Sequence, residues 1–264
     1  MLITVDIGNS NINISAFTLD EEVDFSTKKP FIKFGLSSLD TKTADEYSLI
    51  IHNLFYINNL DVKNIKSVII ACVVPRLNAT LYDAFKKISP AFIYNISAGI
   101  KTGIKVEPSS EVGADIIANA VAVSNIYPLP CAIINFGTAT TITLVDKNKS
   151  LKGVVIMPGF LLSLNSLASG TALLNHVSTK NLKSPLIGKT SEESIKSGVL
   201  RSFSFTTDGF LNKIKEEYNF NELTAVATGD WSEFIIPNCQ NKIIDNEDLT
   251  ALGLLKLYYL NKRN

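Results

Sequence analysis

The chain has 264 residues, 46% of them hydrophobic, with 25 Lys plus Arg against 25 Asp plus Glu. Such a balance lacks the basic field that nucleic acid or an anionic membrane selects, so a small-molecule partner is expected, with no nucleic acid and no membrane. Apolar residues fall in short runs such as Ser67 to Val74, far below the ~20 consecutive positions of a membrane helix. The N-terminus enters a strand pattern at once, which argues against a secretory signal. Cys72, Cys131 and Cys239 form neither a disulfide framework nor a CxxC pattern, so a reducing, cytoplasmic location is expected.

In chain order, residues 2–7 and 12–17 predict a hairpin, Ala44 to Ile57 a helix and 67–74 a buried strand. Arg76 to Ile88 reads as a helix, 91–96 as a strand and Glu111 to Tyr127 as a helix. The prolines of "YPLP", Tyr127 to Pro130, mark a boundary, after which the pattern restarts. Strands over 131–136 and 140–146 precede a helix from Pro158 to about Leu174 and a helical stretch from Ser191 to Tyr218, broken near Thr207 to Gly209. A strand at 223–228, a short segment to Ile243 and a helix from Glu247 to Leu260 finish the chain. The expected class is α/β in two similar domains, 1–127 and 128–264, with the helix over 247–260 free to pack back on the first.

The restart repeats one element. "ITVDIGNSNINISAF" and "CAIINFGTATTITLV" are both strand, glycine turn, strand, and the offset from Asp6 to Asn135 equals that from Gly8 to Gly137. Most single D-x-G turns are plain hairpins. Two copies point further: glycine lets backbone N–H groups approach phosphate oxygens, and Asp6 adds a hard carboxylate suited to magnesium riding on those phosphates. Neither a GxxxxGK[ST] loop nor a kinase-type glycine loop occurs.

A third motif is "EVGADIIANAVAV", Glu111 to Val123, with Gly113 and Asp115 in the opening turn of an apolar helix. An acid there often only complements the helix dipole, worth about 0.3–1 kcal/mol. Between Ala114 and Ile116, however, Asp115 is poorly placed for solvation, and a desolvated carboxylate suits proton abstraction from a substrate hydroxyl during phosphoryl transfer.

Taken in order, "VDIGNSN", "VGADIIANAVA", "NFGTATT", "GVVIMPG" and "GKTSEESIKSG" resemble the type III pantothenate kinases over nearly the whole chain. That resemblance implies two ribonuclease H-like (actin-like ATPase) domains with the ligand cleft between them, as in acetate kinase, sugar kinases, Hsp70 and actin. It implies ATP-dependent phosphorylation of pantothenate, with ATP, Mg2+ and a monovalent cation (K+ or NH4+) as cofactors and a homodimer as the assembly. By position, Asp6, Gly8, Asn9 and Asn11 match the first phosphate motif, with Asp6 at the magnesium. Gly137, Thr138 and Thr140 match the second. Asp115 matches the catalytic base, with Gly113 beside the substrate and Thr171 reaching the pantothenate site.

Three departures stand out. Asn135 replaces the aspartate associated with the monovalent cation, Ile116 an arginine beside the base, and Val106 a common substrate-side tyrosine. A unit charge at ~4 Å is worth ~1 kcal/mol in water and ~4 at an effective dielectric near 20, so the loss at Asn135 predicts weak potassium dependence. The same departures leave two alternatives: an impaired relative that binds ligand or nucleotide and acts as a regulator, or a related kinase with another hydroxyl substrate. His52 and His176 lack ligand spacing, and Phe203, Phe205 and Phe210 suit helix packing.

Overall fold

The computed structural model describes residues 1–96, 99–106, 112–171 and 173–262. Its strands are β1 (Leu2–Ile7), β2 (Asn11–Phe17), β3 (Ile32–Ser37), β4 (Ser67–Cys72), β5 (Phe92–Asn95), β6 (Lys105–Val106), β7 (Cys131–Phe136), β8 (Ala139–Val145), β9 (Ser150–Pro158), β10 (Thr224–Thr228) and β11 (Ile244–Asp245). Its helices are α1 (Ala44–Ile57), α2 (Pro75–Ile88), α3 (Ala114–Ile126), α4 (Phe160–Gly170), α5 (Ser191–Glu217), α6 (Ser232–Ile235) and α7 (Leu249–Asn261). By packing, these form two units: Met1–Ile126 with Asp248–Asn264, and Tyr127–Glu247.

In the first unit the strands run β3-β2-β1-β4-β5, with β1 antiparallel to β2 and parallel to β4. In the second they run β9-β8-β7-β10-β11, with β7 antiparallel to β8 and parallel to β10. Position for position this is one topology used twice, the ribonuclease H-like order.

Both faces of the first sheet are covered, which is why Leu2–Ile7 reads as an apolar run. Ile3, Val5, Ile7, Ile12 and Ile14 pack with Tyr47, Ile51 and Phe55 of α1 and with Leu81 and Phe85 of α2. Leu2, Phe17, Ile69 and Ala71 meet Ala118 and Val121 of α3 and Leu254, Leu255 and Leu257 of α7. Helix α1 starts at a capping box, Thr43 with Glu46, and α2 starts with Pro75 in its first turn. At the crossing of α7 with α3, a Cβ on Gly253 would lie 1.9 Å from the Ala118 carbonyl oxygen, so the backbones touch. Thr250 Oγ1 donates to buried Asn119 Oδ1 at 2.8 Å across the same pair. Those contacts fix α3, whose first turn carries Asp115. In the second unit, Ile134, Phe136 and Ile142 pack under Phe160 and Leu164 of α4 and Ile195 and Leu200 of α5.

Several sequence expectations are corrected. Helix α5 runs unbroken through Thr207 to Gly209. Asp208 is buried there, and its carboxylate accepts the Gln240 N–H (2.7 Å), the Asn241 N–H (2.9 Å) and Asn241 Nδ2 (2.8 Å), a tertiary anchor that outweighs the local turn propensity. Helix α4 ends at Gly170, short of Leu174, where Thr171 turns extended and its hydroxyl donates to the Leu167 carbonyl at 2.7 Å. Helix α3 begins at Ala114; its expected start at Glu111 lies outside the described residues. Strands β3 and β9 add to the elements expected from sequence, and Phe205 is 56% exposed, not packed.

Candidate active site

Strand β1 brings Asp6 to the C-terminal edge of the first sheet, opposite Asn13 of β2 and Ala71 of β4. The hairpin closes where the Gly8 N–H donates to the Asn11 carbonyl at 2.9 Å, leaving Asn9 and Ser10 at the tip. Asp6 is half-buried, while Asn9 and Asn11 are exposed. Next in β4 after Ala71 comes Cys72, whose thiol is pushed up by burial and also by the nearby Asp6 carboxylate.

Val73 follows β4, and its Cγ1 would lie 3.6 Å from a Cβ on Gly113, just before α3. A Cβ at Gly113 would also come within 2.5 Å of Asp115 Oδ1, so the carboxyl folds over the glycine and a side chain there would displace it. Burial pushes the Asp115 carboxyl above the usual carboxylate range, against the opposing effect of the Ile116 and Asp115 N–H groups. Asp6, Gly8, Gly113 and Asp115 therefore gather at one edge of the first unit. Ile116, next in the chain, is buried.

The second unit builds its loop differently. Asn135 lies opposite Thr141 of β8 and Thr228 of β10, and Gly137 and Thr138 follow Phe136 at the turn. The Gly159 N–H donates to the Thr138 carbonyl at 3.1 Å, and a Cβ on Gly159 would fall 2.2 Å from that oxygen and 2.4 Å from the Gly137 oxygen. Gly229, at φ +98, could carry a Cβ only 2.7 Å from Asn135 Oδ1 and from the Phe136 oxygen. Trp231 donates its N–H to the Phe136 carbonyl at 3.4 Å and packs its ring 4.7 Å from that of Phe160. Gly159 closes the "GVVIMPG" motif, and Gly229 lies in "ATGD", Ala227 to Asp230, which resembles a TGG near the adenosine in type III pantothenate kinases; the sequence singles out neither as a site residue.

Two candidates sit elsewhere. Thr140 points with Phe136 and Ile142 into the helix-covered face, 0% exposed, and its Oγ1 has no partner among the described residues, so it is not presented by the loop. Thr171 is exposed at the end of α4. Among the described residues no group of three His, Cys, Asp or Glu side chains is placed to hold a metal, and no helix is long and apolar enough to cross a membrane.

One strand order used twice, with a glycine loop after the first strand of each unit, defines the two-domain α/β class to which actin and the sugar kinases belong. Solved structures agree on the fold: a candidate Baf-family transcriptional activator from Campylobacter jejuni is 17% identical with a TM-score of 0.59, covering 97% of each chain. A candidate 2-dehydro-3-deoxygalactonokinase from Sinorhizobium meliloti is 10% identical with a TM-score of 0.57, covering 100% of this chain and 98% of that one. The type III pantothenate kinase family model matches residues 2–213. A type III pantothenate kinase of Dictyoglomus turgidum is 36% identical over the full length of both chains. The chain belongs to the type III pantothenate kinase family.

Proposed function

We propose that the protein transfers the γ-phosphoryl group of ATP to the primary hydroxyl of pantothenate, giving 4′-phosphopantothenate and ADP at the first step of coenzyme A synthesis. Support comes from family membership and from one observation above all: a carboxyl pushed up by burial shares a sheet edge with the Asp6–Gly8 turn. Asp115 takes the hydroxyl proton as the alcohol oxygen bonds to the γ-phosphorus and the bond to the bridging oxygen of ADP breaks. A base whose pKa is raised toward neutral holds that proton better than an ordinary aspartate.

In this reading Gly8, Asn9 and Asn11 supply donors for phosphate oxygens, and Gly137 and Thr138 belong to a second loop of the same kind. The residues fit magnesium of the kind that rides on substrate phosphates, since such an ion needs only one or two protein carboxylates and Asp6 provides one. Bound there, magnesium offsets the charge that develops on the phosphoryl oxygens. Asn135 offers a monovalent cation an amide oxygen without charge, so potassium dependence is weak. In the same reading the protein works in the cytoplasm as a homodimer.

The test is formation of phosphopantothenate from ATP and pantothenate by the purified protein and by Asp115→Asn. Loss of turnover with ATP binding retained in the variant is expected; full turnover by the variant overturns the assignment of the base.

A further inference from the structure

The first loop has a brace that no motif predicted. Arg76 stands in the first turn of α2, whose N-cap residue Val74 makes no side-chain capping bond. Its Nη1 donates to Thr41 Oγ1 at 2.7 Å and its Nη2 to the Ser38 carbonyl at 3.2 Å. The Ser38 N–H in turn donates to the Ser10 carbonyl, at the tip of the Gly8–Asn11 loop, at 3.0 Å. Ser38 is 1% exposed, so the bond to Ser10 is formed in a dry setting while the guanidinium holds the same peptide segment from outside.

We propose that Arg76 is a positioning residue for the phosphoryl transfer: it locks the Ser38–Thr41 segment and, through it, the loop that carries Asn9 and Ser10. This rests on the reading of that loop as the holder of the ATP phosphates. A guanidinium suits the task because its planar fork meets two acceptors in fixed directions, which an ammonium does not. The corner also keeps two buried hydroxyls without partners among the described residues, Ser38 Oγ and Tyr47 OH. Burial holds the Tyr47 proton on, opposed by the charges of Lys42 and Arg76, which places both cations by the same corner. Buried groups left unpaired cost stability, so this corner is not arranged for stability alone.

Steady-state kinetics of Arg76→Ala, Arg76→Lys and Asp6→Asn separate the possibilities. Arg76→Ala is expected to raise KM for MgATP about tenfold, since small misplacements of binding groups are costly, while KM for pantothenate stays within about twofold. Arg76→Lys recovers little, and millimolar guanidinium restores part of the Arg76→Ala loss. Thr41→Val removes one acceptor at an exposed position and gives a smaller shift in the same direction, which keeps the test alive if Arg76→Ala folds poorly. Unchanged KM for MgATP in Arg76→Ala and Thr41→Val, with Asp6→Asn impaired, overturns the positioning role alone. Unchanged ATP affinity in Asp6→Asn overturns the phosphate reading of the loop. An equal rise in both KM values with no guanidinium rescue marks Arg76 as merely structural and also overturns the proposal.

Discussion

The two units share a strand order yet finish it with opposite materials. At its sheet edge the first carries the Asp6 carboxylate before a less crowded turn, where a Cβ on Gly8 would meet only the Asn11 oxygen, at 3.3 Å, and it carries Asp115 in the first turn of α3. The second places a neutral amide, Asn135, in a turn squeezed by Gly159 and Gly229. Duplication thus preserved the backbone frame while the chemistry diverged, with charge at one edge and close backbone packing at the other.

The sharpest way to break that comparison is Asp115→Asn. Turnover should fall by about 10²–10⁴-fold, the usual weight of a general base. Stability should move the other way. Because the folded carboxyl is raised, ionising it costs stability at neutral pH, so the variant unfolds at a higher temperature there. That gain should vanish as pH drops below the ordinary carboxylate range, where both forms are neutral; a destabilised variant at neutral pH would contradict the burial argument.

Next in size, Gly229→Ala combines a disfavoured φ with contacts at 2.7 Å and should cost about 2 kcal/mol or more along with ATP affinity. Gly8→Ala should cost under about 1 kcal/mol, since its neighbour needs to give only slightly. Urea titrations of the two variants check the contrast, and equal losses would erase the difference in crowding.

Smaller still is the ionic effect. Potassium should change the wild-type rate by less than about twofold, whereas Asn135→Asp, which restores a charge to the amide position, should make the rate potassium-dependent. Strong activation of the wild type would contradict the prediction. The subtlest measurement is the acidic limb of kcat/KM. It should lie above the usual aspartate range, because burial raises Asp115, and should disappear in Asp115→Asn.

Much of this was legible from the residues themselves. Short apolar runs on either side of Asp6-x-Gly8 and Asn135-x-Gly137 announced two hairpins, since strand-length apolar runs and glycine turns are local preferences. An acid among Ala114, Ile116 and Ile117 announced a desolvated carboxyl for the same reason. The burial of Thr140 was not legible, because motif position says nothing about which face of β8 a residue takes, and the face is set by where Ile142 packs. The break expected at Thr207–Gly209 failed because Asp208 finds partners at Gln240 and Asn241, far along the chain.

By itself, then, the sequence determined most of the helices and strands, the duplicated turns and the family, all of which follow from short-range patterns. Only the tertiary structure decided that Gly159 and Gly229 clamp the second loop and that Arg76 braces the first. Those roles depend on atoms brought within a few ångströms by strand pairing and helix packing, and no local propensity encodes such distances.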